Sequence, residues 1–128
     1  MLALSYTRKN LICRWGAVVL WMGLIFFLSS QPKLPDMFGL SKLDCGDKIQ
    51  HAAAYAILAC FIWRALAGCA SRGRIAATIA IAAAYGLSDE AHQLYVPGRS
   101  FDLWDLGADA LGAAIAAYIL VLLRRKSD

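Results

Sequence analysis

Charge is scarce in this sequence. Asp, Glu, Lys and Arg make up 17% of its 128 residues and 60% are hydrophobic, with a mean hydropathy of +0.55. Soluble globular domains carry roughly 25% charged residues, so the composition argues against that class and for an integral membrane protein. Proline is rare too, with three residues in all. No tract is rich enough in Pro, Gly or Ser to serve as a linker, and no repeat occurs, so residues 1–128 read as one domain. The four cysteines (Cys13, Cys45, Cys60 and Cys69) form no C-x-x-C or other metal-ligand spacing. There is no G-x-S-x-G nucleophile motif and no H-E-x-x-H pair. The sequence therefore names no cofactor, no metal and no catalytic residue.

What is present is oil in four blocks: about Leu11–Leu28, Ile49–Ala67, Ile75–Tyr95 and Leu103–Leu123. Each approaches the roughly 20 residues that cross a bilayer core. Backbone groups in lipid must be satisfied within the segment, so all four are expected to be helices. The third and fourth are amphipathic at one end and are the weaker spans by hydropathy. Arg8, Lys9 and Arg14 open the first span. Arg64, Arg72 and Arg74 surround the second connection, and Arg124, Arg125 and Lys126 follow the fourth. By the positive-inside rule these ends are cytoplasmic, as are both termini. The inner set then carries +8. The outer set, with Lys33, Lys42, Lys48 and Arg99 against eight acids, carries −4, which returns the net +4. The basic balance is a topology signal and predicts contact with anionic lipid headgroups, not with nucleic acid. A cleaved signal peptide is the alternative for the first span, but no small-x-small pattern closes it. Only Cys45 falls outside, so no outer disulfide within the chain is available; Cys13, Cys60 and Cys69 are expected as buried packing residues.

The few charges concentrate. Asp47, His51 and Tyr55 follow one another at i,i+4 and make one stripe, with Lys48 beside it. Tyr85, Asp89 and Gln93 make a second, with Glu90 and His92 adjacent. Asp102, Asp105 and Asp109 make a third, which Gly112 continues. All three lie at the outer ends of their helices, so separate parts of the chain supply polar groups to one depth. Between them VPGRS (Val96–Ser100) turns on Pro97–Gly98 and places Arg99 within reach of Glu90, Asp102 and Asp105. Asp102 is also a reasonable N-cap.

These residues resemble the VanZ-like family, small bacterial membrane proteins named after an accessory teicoplanin-resistance factor. LSSQP (Leu28–Pro32), DKIQHAAAYAIL (Asp47–Leu58) and YGLSDEAHQLYVPGRSFDLWDLGADALG (Tyr85–Gly112) carry the resemblance. The last fits the pattern D-E-x-x-Q-x-x-x-P-G-R-x-x-x-x-x-D. The family's usual amide four residues beyond that final Asp is here Asp109, which adds a negative charge. The resemblance implies an all-α integral membrane bundle of four transmembrane helices in the bacterial cytoplasmic (inner) membrane. Resistance to teicoplanin-type antibiotics is implied by the resemblance alone.

The expected site is a polar cluster at the outer leaflet made by Asp47, Lys48, His51, Tyr55, Asp89, Glu90, Gln93, Arg99, Asp102, Asp105 and Asp109. In it Arg99 anchors an anionic group of a lipid, a lipid-linked cell-wall precursor or a lipoglycopeptide, since Arg binds carboxylate and phosphate in a two-pronged geometry. The plainer alternative is an Arg99-centred salt-bridge cluster that staples the third and fourth helices together in a structural or assembly role. A membrane-embedded enzyme, with His51 and Glu90 or Asp105 acting on a headgroup bond, is the rival from another class. Transport is disfavoured in a monomer, and oligomeric state is left open. Metal binding by His51, Glu90, Asp105 and Asp109 lacks a motif on any one helix. His92, the tryptophans, Tyr95 and Tyr118 are expected to be structural or interfacial. Gly107 and the small residues at Ala108, Gly112 and Ala116 are expected at close helix contacts.

Overall fold

The computed structural model describes residues 2–33, 39, 43 and 45–125, and among them the regular structure is all helix, with no strand. Helix α1 is Leu2–Ser29, α2 Gly46–Ala65, α3 Ser71–Gln93 and α4 Leu103–Arg125. The all-α class and the count of four agree with the apolar blocks. The boundaries do not. α1 starts at Leu2, α3 at Ser71 and α4 ends at Arg125, because hydropathy marks the oily part of a helix while backbone bonding continues into its polar flanks. α2 begins early, at Gly46, and stops at Ala65. Beyond it Gly68 takes φ +110°, a left-handed conformation that glycine enters without steric cost. The topological charges Lys42, Lys126 and Asp128 lie outside the described residues.

Among the described residues two helices, over Asn10–Ser29 and Leu103–Arg124, are long and apolar enough to cross a membrane. α2 and α3 fall short because polar residues occupy both of their ends. The amphipathic start of α4 does not weaken it, since the stretch from Ala110 to Leu123 carries no charged residue.

The helices alternate in direction. Ser29 of α1 bonds Asp89 of α3, and Lys48 of α2 bonds Asp102 and Asp105 beside and within α4, so the polar stripes meet at one end of the bundle. At the other end Arg74 of α3 donates from both Nε (2.8 Å) and Nη2 to the Trp63 carbonyl and stacks 4.1 Å over the Trp63 ring.

α2 is the axis. Its Tyr55, Leu58, Ala59 and Ile62 are sealed from the surface, and Val18, Ile25, Ala82, Ala113 and Ala116 close around them. Lipid is as apolar as a leucine core, so helices in it associate through close packing and interhelical hydrogen bonds. Both devices are present. Gly112 lies so near α2 that an added Cβ would fall 2.8 Å from Ala52 Cα. Trp21 Nε1 donates to Ala54 O at 2.9 Å, and Tyr85 Oη donates to Met22 O at 2.6 Å. Gly107, in contrast, has nothing within 4 Å of its Cβ position. It lies off the stripe that faces α2, and its expected packing role is withdrawn. Cys13, Cys60 and Cys69 are also exposed rather than buried, because they fall on outward faces. Large apolar side chains cover those faces, among them Leu20, Phe27, Leu111, Ile115 and Ile119, an apolar exterior that suits lipid and would be costly in water.

Candidate functional site

The connection from α3 to α4 builds the site's rim. Arg99 N donates to Val96 O at 3.1 Å, with Pro97 and Gly98 between them and Gly98 at φ +80°. This is the geometry of a type II turn, which favours Pro second and glycine third. Gly98 sits beside the end of α1, with its Cβ position 3.8 Å from Pro32 O. The turn returns the chain to Asp102, whose Oδ1 accepts from Trp104 N at 2.8 Å as an N-cap. Glu90 Oε2 accepts from Asp102 N at 2.9 Å, tying the last turn of α3 to the first of α4.

The cation at the centre is Lys48, not Arg99. Lys48 Nζ lies 3.0 Å from Asp47 Oδ2, 2.7 Å from Asp102 Oδ2 and 2.5 Å from Asp105 Oδ1. Partial burial opposes its charge, but the bonds to Asp102, Asp105 and Asp47 prevail and hold its pKa above the ordinary lysine range. Burial also opposes ionisation of Asp47, and the Lys48 bond again prevails and lowers its pKa. The bond from Lys48 lowers the pKa of Asp102, helped by the Trp104 amide. The Arg99-centred salt-bridge cluster with Glu90, Asp102 and Asp105 is not formed among the described residues. Among the described residues Arg99 forms no ion pair. Its Nε donates to Gln93 Oε1 at 3.2 Å, and its Nη2 is buried with no hydrogen-bond partner. It reaches Glu90 only through an amide, since Gln93 Nε2 donates to Glu90 Oε1 at 3.2 Å. Lysine prevails because it stands on α2, facing α4, whereas the turn carries Arg99 toward Gln93.

Below Lys48 lies a layer of buried polar groups. His51 Nδ1 is 2.9 Å from Asp109 Oδ1, and its Nε2 is 3.7 Å from Asp105 Oδ2. An ionised Asp109 can only accept, and His51 then donates to it from Nδ1. Asp89 Oδ1 accepts from Ser29 Oγ at 2.5 Å. Among the described residues Asp109 Oδ2 and Tyr55 Oη are buried without a hydrogen-bond partner. His51, Asp89, Glu90, Gln93, Asp105 and Asp109 are all buried, with Glu90 and Asp109 at 0% exposure.

Thus α2, α3, α4 and the turn bring all eleven residues to one end of the bundle. Asp47 stands at its edge and Arg99 apart from the acids. The sequence reading put Tyr85 on the stripe of Asp89 and Gln93 but gave no role to Ser29 or Gly86. Ser29 lies in the quoted LSSQP block, which offered a signal. Gly86, where a Cβ would meet Asp109 Oδ2 at 2.9 Å, had only its place one turn before Glu90. His92 Nε2 lies 3.1 Å from Ser30 Oγ and its ring 4.3 Å from that of Phe26.

The family model for VanZ/LLP1 matches residues 15–124 of the chain. No curated protein and no solved structure matches it. With the two apolar helices, the match identifies a membrane protein.

Proposed function

From the premise that this chain belongs to the VanZ/LLP1 family, we propose a four-span protein of the bacterial cytoplasmic membrane with both termini inside. Its polar end lies at the outer leaflet and binds an anionic group at headgroup depth. The ligand is a lipid-linked cell-wall precursor or a lipoglycopeptide antibiotic, which share phosphate or carboxylate at that depth. Teicoplanin-type resistance enters only through the family resemblance.

The observation that carries this reading is Arg99. It is held by Gln93, has a buried and unpartnered Nη2, and makes no ion pair among the described residues. The nearby acids are already served by Lys48 and by backbone amides, so the guanidinium is left for a group from outside. This also weighs against a purely structural Arg99 cluster.

The membrane-enzyme reading keeps one observation of its own. His51 is oriented by Asp109 at 2.9 Å and faces Asp105, the arrangement a general acid–base needs. One experiment separates the two. The protein in lipid nanodiscs is mixed with lipid-linked precursor, and native mass spectrometry follows the complex and the ligand's own mass. Binding predicts an intact ligand that Arg99→Ala releases. An altered ligand mass, abolished by Glu90→Gln, would replace binding with catalysis.

A further inference from the structure

We infer that His51, Glu90 and Asp105 form a site for one divalent first-row transition ion, such as Mn²⁺ or Zn²⁺, with Asp109 orienting the histidine.

The three residues come from three helices, all are buried, and one ligand atom of each lies within 4.8 Å of the others. His51 Nε2 and Asp105 Oδ2 are 3.7 Å apart, too far for a hydrogen bond. Two ligands about 2.1 Å from a shared ion stand roughly 3.0–3.6 Å apart, so only a small contraction brings this pair onto one ion. Closing the whole set needs movement on the order of 1 Å.

The tautomer fits. Donation from Nδ1 to Asp109 leaves Nε2 with its lone pair toward Asp105. A carboxylate behind the far nitrogen is the usual way a metal-ligating histidine is oriented. Asp105 divides its oxygens, Oδ1 to Lys48 and Oδ2 toward His51. Glu90 accepts from Gln93 and the Asp102 amide and keeps lone pairs, since a carboxylate has about four acceptor sites.

The second support is charge. Asp89, Glu90, Asp105 and Asp109 are all buried, yet among the described residues only Asp105 touches a fixed cation, Lys48. Among the described residues Asp109 Oδ2 has no hydrogen-bond donor. Buried carboxylates left unpaired are expensive. A dication beside them offsets two charges, and imidazole with carboxylates suits Mn²⁺ or Zn²⁺. Three protein ligands also leave a position for a ligand oxygen. The inference does not rest on the anion-binding role of Arg99, because it is tested with metal alone.

Protein in nanodiscs is stripped with chelator and titrated with Mn²⁺, and free ion is read by electron paramagnetic resonance. The expected result is one equivalent bound, with nitrogen coupling from a single imidazole in the echo-modulation spectrum. Glu90→Gln and Asp109→Asn each weaken binding 10-fold or more. His51→Gln, checked for native helicity, removes the nitrogen signal. Gly107→Ala leaves the affinity unchanged. Binding that persists unchanged in folded His51→Gln and Glu90→Gln, or no binding above empty nanodiscs, overturns the site and leaves protons as the neutralising charge. Either result leaves the Arg99 reading to its own test.

Discussion

Replacing Lys48 by Met keeps an unbranched apolar stem and removes the only cation that touches Asp47, Asp102 and Asp105 among the described residues. The cost is worked pair by pair. Asp47 and Asp102 have side chains 47% and 34% exposed, and such pairs are worth about 0.2–1 kcal/mol each. Asp105 is 10% exposed, and stripping the partner from a buried charge costs about 3–5 kcal/mol. Lys48 itself is 28% exposed, which lets water share the load and brings that part to roughly 1–2 kcal/mol. The expected loss is about 1.5–4 kcal/mol, a fall in Tm on the order of 10 °C for a chain of this length. Thermal unfolding in one detergent, followed through the fluorescence of the four tryptophans, measures it. Arg99→Met is the comparison. It removes one bond to Gln93 and should cost about 1 kcal/mol or less. An equal or larger fall for Arg99→Met, or no fall for Lys48→Met, would refute the assignment of Lys48 as the hub.

The same difference, wild type minus Lys48→Met, should depend on pH in a set direction. The raised Lys48 pKa keeps its contribution complete below about 10.4 and loses it as pH rises through the folded value. The lowered Asp47 and Asp102 keep theirs above about 3.9 and lose it as pH falls through their folded values. The difference in Tm is therefore flat from about pH 5 to 9 and shrinks below about 4; a midpoint near neutrality would point to another group. Gly112→Val drives a branched side chain into Ala52 and should cost about 1–3 kcal/mol or more. Gly107→Ala, with open space around it, should be neutral or gain about 0.5–1 kcal/mol, and reversal of that order in Tm would disprove the α2–α4 contact. Arg74→Lys loses the paired donation to Trp63 O and the stack over its ring. A loss of about 1 kcal/mol with a shifted tryptophan emission is expected, and an unchanged spectrum would count against that contact.

Much of this was legible from residue order. Periodicity and oil placed four helices, because helix is the form an apolar chain takes when its backbone must satisfy itself. Spacings of three and four put Asp47, His51 and Tyr55, then Asp102, Asp105 and Asp109, on single faces, and helix geometry alone guarantees that. The VPGR turn and the Asp102 cap follow from local backbone chemistry and appear as expected. Partners across helices were another matter. Arg99 is closest in sequence to the acids of the turn, and sequence distance favoured it. The rotation of α2 against α4, set where Gly112 meets Ala52, swings Lys48 onto Asp102 and Asp105 instead. The same rotation turns His51 toward Asp109 and Asp105 and leaves Asp109 Oδ2 lodged against Gly86. The sequence by itself determined which residues share a face and which end of α2, α3 and α4 carries the acids, since both depend on a fixed local repeat. Only the tertiary structure decided which cation serves which acid, because that depends on how far apart two helices stand and how each is turned about its axis.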